Sequence, residues 1–88
     1  MSIYKKHGVT GRIVANLPTD AQRTIYLRTA IKFLLREETT RVFSFLDLHT
    51  ELGIAPEHRG ALMQAMKTLV DRNEVLHNRH DNLISYKE

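Results

Sequence analysis

The chain has 88 residues, of which 42% are hydrophobic and 26% are charged, and its formal net charge is +3. A chain of this length forms one domain with a single core, so we expect at most one functional site. It contains no cysteine, which excludes zinc-finger cysteine ligands, iron–sulfur clusters and thiol nucleophiles. No apolar run approaches the roughly 20 residues of a membrane span, and we therefore expect a cytoplasmic protein without membrane contact.

The excess positive charge is confined to residues 1–18, because the charges of residues 19–88 cancel. The cations of this segment are Lys5, Lys6 and Arg12. Two glycines, little periodicity and a closing Leu-Pro pair predict an extended or loop-like basic arm ahead of the folded domain of residues 19–88. Such an arm either follows the DNA minor groove and backbone or is a disordered, solubilising tail.

The first strong helix is predicted to begin at Thr19, because Thr19 and Gln22 have the spacing of a capping box, and to run to about Glu38. Its buried stripe is predicted to be Leu27, Ala30, Ile31 and Leu34. The apolar belt of residues 25–35 is wider than one small core needs, so we expect it to support a homodimer. Another face repeats Arg28, Lys32 and Arg36, which is typical of a solvated stripe and, less often, of a phosphate-binding one.

Residues 41–43 favour a short strand, and Ser44 with Asp47 predicts the capped start of a short helix. That helix is predicted to stop at Gly53, which can take a left-handed conformation. Pro56 suits the start of another helix. The buried stripe of this third helix is predicted to be Leu62, Ala65, Met66 and Leu69. Asn73 ends it, and residues 75–77 and 83–86 then favour a β-hairpin whose polar tip is residues 78–82.

The order of these elements resembles a winged helix-turn-helix domain over residues 19–87. Residues 52–56 look like the turn between the two motif helices, and residues 69–76 are similar to the passage from recognition helix to wing, with Asn73 where glycine is common. The resemblance implies a mainly α fold with a small β-hairpin (α+β), in which three helices precede a C-terminal wing. Residues 56–69 are about one turn longer than in compact family members, so either the third helix or the turn before it is extended.

In this family the third helix enters the DNA major groove. A helical wheel predicts which residues of the third helix face outward: Glu57, Gly60, Gln64, Lys67 and Asp71. Met63 lies at the edge of this outward face. Gln64 suits adenine, Lys67 suits a phosphate or guanine, and Gly60 allows a close backbone approach. The alternative is a solvated helix face, which Glu57 and Asp71 favour because carboxylates repel phosphates.

Two further segments are candidates for DNA contact. Arg79 and His80 lie at the wing tip, where the resemblance implies contact with the backbone or minor groove, although ordinary exposed turn residues would look the same. If the third helix does not read bases, His58 and Arg59 in the long turn before it are the next candidates.

Neither catalysis nor metal binding is expected. There are five histidines, but the spacing of His77 and His80 places them on opposite faces of a hairpin unless the turn intervenes, and neither cysteines nor a carboxylate cluster complete a ligand set. Ser44 is better explained as a helix cap than as a nucleophile, and the glycines form no phosphate-binding loop. We expect no enzyme activity, no cofactor and no metal.

The sequence therefore predicts a DNA-binding regulator of transcription or replication. It would bind double-stranded DNA in a sequence-specific manner, as a homodimer, through the third helix, the wing and the basic arm. The alternative is a winged-helix module that binds a protein partner and not DNA, which the near-neutral charge of residues 41–88 favours.

Overall fold

The computed structural model describes the backbone of residues 2–88 and the side chains of residues 9–88. In that part of the chain the helices are α1 (Ser2–Asn16), α2 (Asp20–Glu37), α3 (Phe45–Glu51) and α4 (Arg59–Asp71). A 3-10 turn at Pro56–His58 precedes α4. The strands are β1 (Val42–Phe43), β2 (Leu76–Asn78) and β3 (Leu83–Ser85). The fold is thus mainly helical with a small sheet, as the sequence predicts.

The sheet is antiparallel, with β3 in the centre and the order β1-β3-β2. Phe43 on β1 and His77 on β2 both lie opposite Ile84 of β3. Because side chains alternate along a strand, Phe43 and Ile84 share the face that is buried in the core. Val42 and Leu76 lie on the other face, where each is more than half exposed. The sheet therefore covers one side of the helices.

Side-chain caps start α2 and α3 at the predicted residues. Thr19 Oγ1 accepts a hydrogen bond from the Gln22 backbone N at 3.2 Å. Ser44 Oγ accepts from the Asp47 backbone N at 3.0 Å, and Asp47 Oδ2 accepts from the Ser44 backbone N at 3.0 Å. The second cap is a complete capping box, which satisfies two otherwise unpaired donors.

Left-handed residues end α3 and α4. Gly53 has φ 64° and Asn73 has φ 59°. The following backbone N–H groups turn back into the helices, from Ile54 to the His49 carbonyl at 3.1 Å and from Glu74 to the Leu69 carbonyl at 2.9 Å. These are Schellman-type ends, in which asparagine tolerates the conformation that glycine adopts at no cost. Asn73 can therefore stand where the resemblance expects glycine.

One core joins all the elements, with α4 packed on α2 and α1 packed on α2 and α3. The buried stripe predicted for the third helix is the buried stripe of α4. The large side chains of the core that are fully buried are Phe43, Leu27, Ile31, Leu34, Leu35, Leu48, Leu52, Leu62, Leu69, Ile84 and Val14. Most of the apolar belt of residues 25–35 therefore belongs to this core, and its exposed large apolar side chains are Ile25 and Phe33.

The prediction of an extended or loop-like N-terminal arm is wrong, since the segment forms α1. Thr10 and Val14 are buried one helical turn apart, and Gly11 lies between them against the turn after α3. A Cβ atom at Gly11 would overlap the Gly53 carbonyl oxygen, so glycine is required for this close approach. Glycine in a helix costs about 1 kcal/mol relative to alanine, and the tertiary packing of α1 offsets that cost.

Arg23 fastens the end of α1 to the start of α2. Its Nε donates to the Val14 carbonyl at 3.2 Å and its Nη2 donates to the Leu17 carbonyl at 2.8 Å. Asp20 accepts from Nη1 at 2.6 Å. Carbonyls at a helix C-terminus lack intrahelical donors, so a guanidinium held at this place both satisfies them and complements the helix dipole.

Candidate nucleic-acid interface

The predicted third helix is α4, and it begins at Arg59 and not at Pro56. The additional turn that the sequence indicated within residues 56–69 is the 3-10 turn before α4. The apolar side chains of α4 face α2, and the opposite side of α4 is uncovered. We call this surface the α4 face; its residues are all exposed: Gly60, Gln64, Lys67 and Asp71. Met63 lies at the edge of the α4 face and is 48% exposed. The residues that the helical wheel predicts to point outward from α4 are therefore confirmed as exposed. Glu57, in the preceding turn, is also exposed.

The first turn of α4 is fixed by contacts with α3. The Cζ atom of Arg59 lies 5.5 Å from the centroid of the Phe45 ring, a cation–π distance. His58 is half-buried and ends the 3-10 turn, whereas Gly60 is exposed and has open space where a Cβ atom would stand. Gly60 is therefore not required by packing within the chain, and nothing in the fold prevents another molecule from approaching its backbone.

The middle of the α4 face is polar but partly self-paired. Lys67 Nζ lies 3.0 Å from Asp71 Oδ2, and both side chains are at least 60% exposed. Gln64 Nε2 lies 3.5 Å from Thr68 Oγ1, at the limit of a hydrogen bond. Exposed ion pairs contribute about 0–1 kcal/mol, so Lys67 can exchange Asp71 for another anion at little cost.

The tip of the β2–β3 hairpin, where the wing tip is predicted, is a turn held by hydrogen bonds. Asn78 Oδ1 accepts hydrogen bonds from the backbone N of His80 at 3.0 Å and of Asp81 at 3.4 Å. His77 Nε2 lies 2.8 Å from Asn82 Oδ1, which ties the two sides of the loop together. Arg79 and His80 are exposed at this tip, as predicted. The loop thus presents one guanidinium and one imidazole from a backbone that is already ordered.

The predicted basic cluster at the N-terminus is only partly described. Arg12 lies on an exposed side of α1, next to the buried Gly11. The side chains of Lys5 and Lys6 lie outside the described part of the chain. Because α1 is packed on the domain, Arg12 occupies a fixed place on the surface and does not sit on a free tail.

Two features were not predicted from the sequence. Leu46 on α3 is 71% exposed, beside the contact of Phe45 with Arg59. Glu74 Oε1 accepts a hydrogen bond from Lys32 Nζ at 2.9 Å, and the positive charges of Arg72 and Arg28 also act on this carboxylate. That hydrogen bond, together with the charges of the three cations, lowers the pKa of Glu74 below its usual value of 4.5. The repeat of Arg28 and Lys32 was visible in the sequence, but Glu74, the carboxylate on which they act, lies more than 40 residues further along the chain.

The described residues contain no group of three or more histidine, cysteine or acidic side chains arranged to hold a metal ion. No helix formed by them has both the length and the apolar character that crossing a membrane requires. Comparison with protein-family models, with curated proteins and with solved structures finds no match to the chain.

Proposed function

We propose that this chain is a winged helix-turn-helix protein that binds double-stranded DNA in the cytoplasm and regulates transcription or replication, without enzyme activity. The element order α2-β1-α3-α4-β2-β3 and the strand order β1-β3-β2 support the fold family. The observation that carries the function is the uncovered polar α4 face in a domain whose wing also holds an exposed, preorganised Arg79. An α-helix is about 10–12 Å wide and fits the major groove, which is about 12 Å wide.

Each group of the interface has a separate role in this proposal. Gln64 presents one acceptor and two donors, the set that pairs with the edge of adenine. Lys67 releases Asp71 and contacts a phosphate or guanine, and the open backbone at Gly60 approaches the DNA closely. The DNA phosphate backbone is contacted by the remaining basic side chains: His58, Arg59, Arg79, His80 and Arg12. Lys5 and Lys6 add further positive charge to this set. Phosphate contacts hold the protein, and α4 supplies the sequence preference.

A salt titration tests whether DNA is bound at all. We expect a homodimer to make about four to six phosphate contacts, so log K should fall against log salt with a slope of roughly -4 to -5. Fluorescence anisotropy with a random duplex, measured at several salt concentrations, gives that slope. A folded protein that shows no binding at about 50 mM salt contradicts the proposal.

The homodimer is a separate part of the proposal. Ile25 is 56% exposed on α2, and a two-fold axis would cover it while doubling the DNA contacts. Sedimentation equilibrium should give about twice the monomer mass of 10.2 kDa at tens of micromolar protein. A monomer at that concentration would remove the homodimer and leave the monomeric interface to be tested by the salt slope.

The second candidate function is a winged-helix module that binds a protein partner. The pairing of Lys67 with Asp71 and the exposure of Leu46 and Met63 favour it, because a protein surface can cover apolar side chains that a phosphate backbone cannot. The two functions differ in one observable. DNA binding weakens steeply with salt, whereas an apolar protein interface is almost insensitive to it.

A further inference from the structure

A concave surface lies on the side of α2 that carries Lys32 and Arg36. Three segments form its walls: the second half of α2, residues 73–75 between α4 and β2, and residues 86–88 after β3. Its volume is about 640 Å³, within the roughly 300–1,000 Å³ of sites that hold small molecules. We call it the α2–tail groove. The walls flank both ends of the wing hairpin, and none of the residues of the α4 face takes part.

The charges of the α2–tail groove come together from different parts of the chain. Lys32 and Arg36 lie one turn apart on α2, and Lys87 enters from the opposite wall, where its Nζ donates to the Asn73 carbonyl at 2.8 Å. Lys32 is 52% exposed and is paired with Glu74, which is 34% exposed. Arg36 is exposed and forms no ion pair within residues 9–88. Among residues 9–88 the groove thus has one guanidinium without an ion-pair partner and two ammonium groups that contact Glu74 and the Asn73 carbonyl.

Apolar atoms line the rest of the groove. Val75, which is buried, and Tyr86, which is half-buried against the core, both line it. Phe33 of α2 lies at the rim and is 44% exposed. A surface that combines aromatic and aliphatic walls with a few charged groups is typical of a site for small molecules. It differs from a phosphate-backbone contact, which is polar throughout.

We propose that the α2–tail groove binds a small organic anion, in which a carboxylate or phosphate is attached to a planar ring system. The anionic group forms a charge-assisted pair with Arg36 and takes the place of Glu74 at Lys32, while the ring packs against Val75 and Tyr86. A bidentate pair with a guanidinium fixes both the position and the orientation of such a group. Glu74 and Glu88 in the walls disfavour a polyanion such as DNA, but they leave room for a single anionic group.

The inference does not depend on DNA binding, because it uses none of the residues of the α4 face or the wing tip. A titration of the full chain with 1-naphthoate tests it, using two-dimensional ¹H–¹⁵N NMR spectra. We expect saturable shifts at Thr29, Arg36, residues 73–75 and Lys87. The neutral analogue 1-naphthalenemethanol and the ring-free anion acetate should each bind at least about tenfold more weakly, since each lacks one half of the interaction.

Two variants that remove one positive charge from an exposed helix position make the test specific. Arg36→Gln should weaken 1-naphthoate binding about tenfold, whereas Arg12→Gln, on α1 and outside the groove, should leave it unchanged. Equal weakening by both variants means attraction to net charge alone and overturns the proposal. Equal binding of the neutral analogue, absence of saturation, or shifts centred outside the groove also overturns it. If duplex DNA displaces 1-naphthoate, the groove is a DNA-binding surface, and this result also overturns the small-anion proposal.

Discussion

The α4 face and the α2–tail groove are both polar surfaces with cations, yet they differ in shape and in partners. The α4 face is a convex helix surface whose lysine is paired with an aspartate of the same helix, and the tip of the β2–β3 hairpin adds Arg79 on a separate loop. The α2–tail groove is concave, and its cations come from segments more than 40 residues apart. A convex helix suits a groove in another molecule, and a concavity suits a ligand of its own size. Net charge alone does not distinguish these two uses.

The largest effect is expected at Gly11, which supports the turn before α4 and is not part of the groove. Gly11→Ala places a Cβ atom against the Gly53 carbonyl and should destabilise the fold by about 1–3 kcal/mol. For a domain of this size, the melting temperature should fall by about 4–8 °C per kcal/mol, as measured by circular dichroism.

Gly60→Ala is the matched control, since the space at Gly60 is open and the residue lies inside α4. It should raise stability by about 0.5–1 kcal/mol. It should also weaken DNA binding if the α4 backbone approaches the duplex. Equal stability of the two alanine variants would contradict the packing of α1 against the α3–α4 turn.

The next effect separates base recognition from backbone attachment. Gln64→Ala should cost about 1–3 kcal/mol on the preferred DNA sequence and little on random duplex, because it removes a base-edge contact. Arg79→Ala should weaken binding to both duplexes alike and reduce the salt slope by about one unit, because it removes a phosphate contact. Anisotropy titrations of both variants with both duplexes measure these differences. If Gln64→Ala folds and binds every duplex as the original chain does, the middle of α4 does not read the sequence, and His58 and Arg59 at the start of that helix become the candidates.

A smaller effect is expected at the start of α3. Ser44→Ala removes the hydroxyl of the capping box and should lower stability by about 1 kcal/mol, measured by urea unfolding. The helix it caps carries Phe45, on which Arg59 rests, so DNA affinity should fall more than 1-naphthoate affinity. A larger loss of 1-naphthoate affinity would contradict the separation of the two surfaces.

The smallest effect is the pH dependence contributed by Glu74. Its pKa is lower in the folded state than its usual value of 4.5, so its pairing with Lys32 stabilises the fold above about pH 4.5. This contribution is lost as the pH falls below that value and through the lowered pKa. Glu74→Gln should therefore reduce the difference in stability between about pH 6 and about pH 3.5, as measured by urea unfolding. An unchanged difference would show that the pair adds nothing to stability.

Most of the fold could be predicted from local patterns. Ser44 with Asp47 and Thr19 with Gln22 predicted two helix starts, and the runs 75–77 and 83–86 on either side of a polar segment predicted the hairpin. The N-terminal helix could not be predicted in this way. Gly11 disfavours a helix by itself, and only its contact with Gly53, 42 residues further along the chain, explains its presence there.

The two candidate sites also differ in how far local sequence patterns could predict them. The outward side of α4 follows from helical periodicity, so Gln64 and Lys67 could be located from the sequence. The α2–tail groove depends on Glu74, which precedes the hairpin, and Lys87, which follows it, lining one concavity together with α2. Spacing along the chain therefore revealed Arg28, Lys32 and Arg36 only as a stripe, without the walls that make a concavity.

The central claim, that α4 and the wing hold DNA, is tested most directly by mapping where a duplex binds. At 10.2 kDa the chain is suited to ¹H–¹⁵N NMR titration with double-stranded DNA. We expect the largest shifts at Gly60, Gln64, Lys67 and Arg79, with little change at Arg36 and Lys87. Shifts centred on the α2–tail groove, with the α4 face unaffected, would contradict it.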